Sequence, residues 1–332
     1  MRVAVVGAGF AGGIHAQAWA GLDGVDVVVA DADRERAAAV AQRWGAEPAA
    51  APEAALAPDI DVVDVCLPTW QHAELAIAAA RAGKHVLCEK PMAMTVAECE
   101  RMIEAAQEAG VTLMVGHVLR FWPEYERLRG LVERGELGRL RALACHRLVT
   151  RPGPYAPWML DPAQGLGLGE VAIHDLDVVA SLLGPPGSIV AQGVREGAGW
   201  SHLQALLRYG DGVTAMVEAG WGTPAAEAFN AGFHAFFEHG VVEYDSRRRP
   251  TLRIVRDGGV EEGKSPQAET EGGPWAFDAT PYVLEVEEFA RCLADRRAPE
   301  RGRPVDARRA VELTLTAFRA AETGLELPLA GP

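Results

Sequence analysis

The stretch from Arg2 to Leu22, RVAVVGAGFAGGIHAQAWAGL, sets the strongest limit on what this chain can fold into. A β-branched run meets Gly7, Gly9 and Gly12 in a G-x-G-x-x-G spacing, and helix-compatible residues follow at once. Glycines in a turn are common, but a strand before them and a helix after them make the turn a phosphate cradle. In that setting Gly7 permits the tight turn, Gly9 lets backbone approach a pyrophosphate, and Gly12 lets helix pack on strand. The helix N-terminus, with Phe10 and Ala11 in its first turn, faces the anion. A second apolar run, VDVVVAD, ends at Asp31, 19 residues beyond Gly12. Its carboxylate would accept hydrogen bonds from adenosine ribose hydroxyls and repel a 2′-phosphate, favouring NAD over NADP, with Arg34 close enough to blur the preference.

Alternation continues to about residue 134. Asp33 to Trp44 reads as a helix, DIDVVDVCLP as a strand, Gln71 to Arg81 as a helix and KHVLCE as a strand. Thr95 to Ala109 is a helix capped by Thr95, with Glu98 completing a capping box. VTLMVGH is a further strand and Trp122 to Arg134 a further helix. Such alternation predicts right-handed crossovers and a doubly wound parallel sheet, whose ligands bind beyond the carboxyl ends of the strands. Pro68, Thr69 and His72 follow one strand, Glu89 and Lys90 another, and His117 and Arg120 a third.

From Leu140 the rhythm changes to strand-like runs separated by Gly, Asp and Pro, several with one polar and one apolar face. That predicts a largely antiparallel sheet with helices on a single side. Helices are expected at Gly169 to Leu183, Pro281 to Leu293 and Asp306 to Thr323, and a mobile loop at Gly258 to Pro274.

Composition narrows the function. Net charge is −14 over 332 residues with basic residues scattered, which excludes a nucleic-acid or anionic-membrane surface. The 20 uncharged residues from Val3 to Leu22 could pass for a signal peptide, but five glycines, His15 and Gln17 make them too polar to insert well. Cys66, Cys88, Cys99, Cys145 and Cys292 are odd in number and form no CxxC pair; Cys66 and Cys88 end apolar strand-like runs, which suits buried free thiols in a reducing, cytoplasmic setting, and no metal is expected.

Two places carry chemistry. Glu89, Lys90 and Pro91 stand directly at the mouth of an apolar strand, and Lys90 is one of only three lysines beside 29 arginines. A chain that otherwise uses arginine for charge can need lysine where a compact or titratable ammonium is required; a plain surface lysine is the alternative. In EVAIHDLDVVASLLG, Glu170, His174, Asp177 and Ser181 fall in one polar stripe on an otherwise apolar helix. His174 can be a general base oriented by a carboxylate, a structural histidine, or with Glu170 part of a metal site, though no further Cys/His cluster supports a metal. Tyr155 and Trp158, in a Pro-rich loop, can stack on a sugar face or pack the loop against the sheet.

GAGFAG, CLPTWQH at 66–72, GKHVLCEKPMA at 83–93, GHVLRFWPEY at 116–125 and GLGEVAIHDLDVVASLLG at 167–184 together resemble the Gfo/Idh/MocA oxidoreductases. The resemblance runs on to PYVLEVEEFARCLADRRAPE and covers essentially the whole chain. It implies an NAD(P)-binding Rossmann domain over 1–121 and, over 122–332, an α+β domain with an open-faced, largely antiparallel sheet that binds substrate and oligomerises. It places Lys90 beside the reacting hydroxyl or carbonyl, often with a cis bond before Pro91, and Glu89 at that turn or the nicotinamide side. It puts Pro68 and His72 near the nicotinamide ribose and gives His174 the general acid/base position. Glu170 stands where the family commonly has aspartate, as the partner orienting His174. Arg120, Tyr155 and Trp158 join Lys90 and His174 as substrate-binding candidates.

The expected reaction is reversible oxidation of a secondary alcohol on a sugar, cyclitol or sugar derivative, by a homodimer or homotetramer. A glycosidase that keeps NAD bound and a non-catalytic dinucleotide-responsive regulator are the alternatives.

Overall fold

β1 (Arg2–Val6) is buried from Val3 onward, and parallel strands β2 (Asp26–Ala30) and β4 (Val62–Val65) flank it in register. A strand covered on both faces must be apolar throughout, which is why these runs are continuous rather than alternating. The computed structural model describes residues 1–49, 51–153, 156–210, 212–224, 229–263 and 279–329. In chain order β1 leads to α1 (Phe10–Ala20), β2 to α2 (Arg34–Trp44), and β3 (Glu47–Ala49) precedes β4. Then come α3 (His72–Arg81), β5 (His85–Glu89), α4 (Val96–Ala109) and β6 (Leu113–Gly116). The six strands order β3-β2-β1-β4-β5-β6, so the topology reverses between β1 and β4. An open α/β sheet offers its ligand crevice at that reversal.

Local chemistry sets the helix ends. Asp33 caps α2 by accepting the N–H groups of Glu35 (3.1 Å) and Arg36 (3.2 Å). Thr95 and Glu98 form the expected reciprocal box at α4, with bonds of 3.2 and 3.0 Å.

The next elements are α5 (Pro123–Arg134), β7 (Leu140–Val149) and α6 (Gly169–Leu183), then β8 (Ser188–Glu196), β9 (Gly199–Arg208) and β10 (Thr214–Trp221). They are followed by β11 (Phe229–Phe237), β12 (Gly240–Asp245), β13 (Leu252–Arg256) and β14 (Gly259–Gly263). After them come α7 (Thr280–Ala294), α8 (Pro304–Thr323) and β15 (Leu327–Pro328). The second sheet orders β14-β13-β12-β11-β7-β10-β9-β8-β15, and among the described residues β7 with β10 is its one parallel pairing. α6 packs on β7 and β10, covering one face.

The expected loop at Gly258 to Pro274 needs correction over its described part. Gly259–Gly263 is β14, paired antiparallel with β13 from Arg256↔Gly259 to Leu252↔Gly263. Asp257-Gly258 is the two-residue turn between them, and Asp-Gly is a hairpin signal as readily as a loop signal. Residues 264–274 lie outside the described residues.

Met1–Phe121 with Ala279–Val311 makes one compact unit, and Trp122–Asp278 with Glu312–Pro332 makes the other. In the first, Val3, Val5, Val27, Val29, Leu87 and Met114 form a core with Trp19, and Phe289 of α7 meets the Trp19 ring edge-on at 6.3 Å. No described helix is long and apolar enough to cross a membrane.

Candidate active site

In the first unit the glycine turn is built as its spacing predicts. Gly7 has φ +103°, a conformation that L side chains rarely adopt. A Cβ on Gly12 would lie 1.7 Å from the Gly7 carbonyl oxygen, so helix and strand touch backbone to backbone there. A Cβ on Gly9 would meet nothing within 4 Å, and no side chain caps α1. The first N–H groups of a helix have no intrahelical acceptor; an open, uncapped N-terminus therefore fits an anionic diphosphate. Phe10 stands exposed in the same first turn.

Asp31, at the end of β2, accepts the N–H groups of Ala8 (2.7 Å) and Asp33 (2.7 Å). Burial opposes its charge, but these two bonds and an arginine outweigh it and hold the carboxyl below the ordinary aspartate range. That arginine is Arg36, whose Nη2 lies 2.9 Å from Asp31 Oδ1; Arg34 and Arg36 are both exposed. Asp33 as N-cap makes Arg34 the first helical residue and Arg36 the third, and sequence distance alone does not separate them.

At the carboxyl ends of β4 and β5 two turns are braced against each other. His72 is buried, with Nε2 2.7 Å from the Leu67 carbonyl oxygen and Nδ1 2.8 Å from that of Pro91. It therefore ties the Pro68 turn to the Pro91 turn. The Lys90–Pro91 peptide is cis, Lys90 is half-buried, and its backbone N–H donates to Glu89 Oε2 at 2.9 Å. Behind Glu89 lies His15 on α1, whose Nε2 is 3.2 Å from Glu89 Oε1 and whose Nδ1 is 2.9 Å from Asp64 Oδ2. Burial disfavours a charge on His15, yet Asp64 above all raises its pKa well above the usual imidazole range. Burial likewise opposes the Glu89 carboxylate, but His15, then Lys90, lower its pKa. Arg120 is buried and bonds Asp306 at 3.2 Å, so its guanidinium is engaged within its own unit.

In the second unit α6 presents one opening. From Gly169 to Val179 every residue is buried except His174. Glu170 Oε1 accepts the N–H of Leu166 at 3.0 Å, closing the glycine-rich turn that leads into the helix. Asp177 is buried and Ser181 Oγ donates to the Val178 carbonyl, so the four residues do not form one continuous polar face toward solvent. The more prominent carboxylate is Asp175, which accepts from Arg147 Nε at 2.8 Å and Nη2 at 3.2 Å, with the Tyr125 hydroxyl at 3.3 Å. In the sequence it stands directly after His174, and it falls off the stripe of Glu170, His174, Asp177 and Ser181. Trp158 lies over Gly165, its ring carbons 3.2 Å from where a Cβ would stand. Tyr155 lies outside the described residues.

The first unit thus has the features of a dinucleotide-binding α/β oxidoreductase domain, and the comparisons carry this further. Residues 1–117 match the family model described as "Oxidoreductase family, NAD-binding Rossmann fold", and residues 125–243 match the GFO/IDH/MocA C-terminal domain. The NADP-dependent D-xylose 1-dehydrogenase 2 of Haloferax volcanii is 30% identical over 311 residues, 91% of each chain. The chain belongs to the Gfo/Idh/MocA oxidoreductase family.

Levoglucosan dehydrogenase of Pseudarthrobacter phenanthrenivorans is 33% identical over 208 residues, 55% of this chain and 51% of that one. Myo-inositol 2-dehydrogenase of Thermotoga maritima is 34% identical over 188 residues, 55% of each. The chain spans about half the length of these curated relatives. A solved levoglucosan dehydrogenase in complex with NADH and levoglucosan superimposes with a TM-score of 0.87 over all of both chains at 21% identity, which shows the fold.

Proposed function

We propose that this protein is an NAD-dependent oxidoreductase that oxidises a secondary alcohol of a sugar, cyclitol or sugar derivative, or reduces the matching ketone. The observation that carries the reading is Lys90, held by Glu89 at the carboxyl end of β5, in the same sheet as an uncapped glycine cradle. Relatives named as levoglucosan, inositol and xylose dehydrogenases support the substrate class. Gly7, Gly9 and Gly12 with the first turn of α1 would hold the pyrophosphate, and Asp31 the adenosine ribose. When bound, the nicotinamide supplies the hydride acceptor.

The chain's own groups do the rest. Lys90 donates a hydrogen bond to the reacting oxygen and steadies its developing negative charge. His174 takes the hydroxyl proton, and a positioned base of this kind contributes about 10²–10⁴-fold. Glu170, through the turn at Leu166, positions the start of the helix that carries His174. Asp31 favours NAD, while Arg34 and Arg36 leave NADP a weaker alternative. Five free cysteines suit a reducing, cytoplasmic compartment, and the open face of the nine-stranded sheet suits a homodimer or homotetramer.

The test is nicotinamide reduction against a panel of inositols, aldoses, anhydrosugars and amino sugars, each beside His174→Ala. A substrate-dependent rise that the variant loses supports the reading. Cleaved sugar without net NADH would replace it with a glycosidase. Saturable NAD binding with no turnover across the panel would replace it with a regulator.

A further inference from the structure

Three buried carboxyl groups surround one imidazole in the first unit. Asp64 Oδ2 receives His15 Nδ1 at 2.9 Å and Trp19 Nε1 at 2.7 Å, and its Oδ1 receives Cys66 Sγ at 3.4 Å. Glu89 Oε1 lies 3.2 Å from His15 Nε2, an ion-pair approach without hydrogen-bond geometry, and Glu89 Oε2 accepts the Lys90 N–H. Glu285 of α7 is fully buried, and neither of its oxygens has a hydrogen-bond partner among the described residues. Its Oε1 is 3.9 Å from His15 Nε2, and one imidazole nitrogen of His15 and one carboxyl oxygen each of Glu89 and Glu285 all lie within 4.8 Å of one another. A Cβ at Gly116 would meet Glu285 Oε1 at 2.9 Å and Glu89 Oε1 at 3.5 Å, so both carboxyls crowd one spot.

Two carboxylates this close, away from water, do not both stay ionised unless cations match them. The charged and titratable groups acting on Glu285 are Glu89 at the end of β5, His15 from α1 and Asp64 from β4, and around His15 and Glu89 stand Cys66, Lys90 and Tyr282, the Tyr282 ring 6.2 Å from that of His15. The imidazole is shared by Asp64 and Glu89, and Lys90 adds its charge on the Glu89 side. The remaining proton belongs on the carboxyl that no donor reaches.

We propose that Glu285 is a positioning residue: held as a neutral acid, it leaves His15 to Glu89 and so lets Glu89 anchor the backbone of Lys90. Burial first, then the charge of Glu89, act in the same direction on Glu285. Loss of its proton would set a second anion against Glu89 and draw His15 away, loosening the lysine turn. The inference deepens the reading of Lys90 given above.

With only three lysines in the chain, [¹⁵N]lysine labelling yields three backbone amide signals, and Lys90→Arg identifies the one from position 90. That signal is expected to shift on alkaline titration in the wild type and to lose the shift in Glu285→Gln. The infrared carbonyl band of a protonated carboxyl at neutral pH should also vanish in Glu285→Gln.

The folded acid keeps its proton while the unfolded one loses it. Wild-type stability therefore declines as pH rises above the unfolded value, and the Tm of Glu285→Gln minus that of the wild type should be larger near pH 8 than near pH 5. An unchanged Lys90 titration in the variant, or a Tm difference of the opposite sign, overturns the inference. So does one equivalent of bound metal in the purified protein, which would make Glu285 a ligand. None of these readouts needs a substrate, so they stand apart from the dehydrogenase assay.

Discussion

Lysine and arginine at position 90 differ in shape rather than charge, which makes Lys90→Arg the sharpest residue-scale test. The planar guanidinium cannot occupy a site built for a compact ammonium, so kcat should fall about 10²–10⁴-fold with NAD affinity nearly unchanged. Steady-state turnover beside a fluorescence titration checks this, and near-wild-type turnover would remove Lys90 from the mechanism. At Asp31, replacement by Ser removes the carboxylate and leaves Arg34 and Arg36 in place. The kcat/KM ratio of NADP to NAD should then rise roughly 100-fold, or about 2.8 kcal/mol. Because the Asp31 pKa is lowered, its contribution to stability and ribose binding is complete above the ordinary aspartate range. It is lost only as pH falls through the lower folded value. The scarcity of lysine has a structural outcome at one position. At Lys84 the ammonium donates to the carbonyls of Ala57 (2.9 Å), Pro58 (3.3 Å) and Ile60 (2.6 Å), a structural use of a compact three-donor group. Lysine rarity therefore does not by itself separate a chemical need from a structural one. The hidden partners, Arg36, Asp175 and Glu285, became visible only once helix faces were known.

Among the elements, the turn from β1 into α1 separates stability from binding at adjacent glycines. Gly12→Ala drives a methyl into the Gly7 carbonyl and should cost about 3 kcal/mol. Gly9→Ala meets only open space, so its Tm should hold while NAD binding weakens at least roughly tenfold, since the methyl occupies the diphosphate's approach. Thermal melts and NAD titrations of both variants check the contrast; equal Tm losses would mean that Gly9 is there for the fold. The elements around this turn were legible because local signals agreed: β-branched runs, a Thr95–Glu98 box and Asp33 as N-cap. β3 and β15, of three and two residues, are too short to show a period. The β13–β14 hairpin was misread because its Asp-Gly turn sits in a Gly- and Glu-rich stretch that resembles a loop. α7 was legible as a helix, but nothing in its periodicity announces that Glu285 is buried among other acids.

The whole molecule leaves one sheet face to be explained. Along the nine-stranded sheet a cross-strand row runs Val190, Leu206, Met216, Ala144 and His234, each paired in register with the next. Leu206 and Met216 are exposed at 39% each, and Phe236, two residues beyond His234, at 46%. Burial alternates along these strands, so the row lies on the face opposite Leu207, Ala215 and Val217, which are buried beneath. A row that is apolar from Val190 to Ala144, rimmed by Gln204, Glu218 and Arg208 and ended by His234, has the pattern of a surface covered by another subunit. A symmetric pairing brings each substituted position into the interface from both copies, so Met216→Glu would bury a charge twice. Sedimentation velocity of the wild type should show a dimer or tetramer, and Met216→Glu should weaken self-association at least tenfold, about 1.4 kcal/mol or more. NAD binding should survive, because the glycine cradle belongs to the other unit. A monomeric wild type would mean that this face serves a different partner, and the retained NAD affinity of Met216→Glu would show that the dinucleotide site does not depend on assembly.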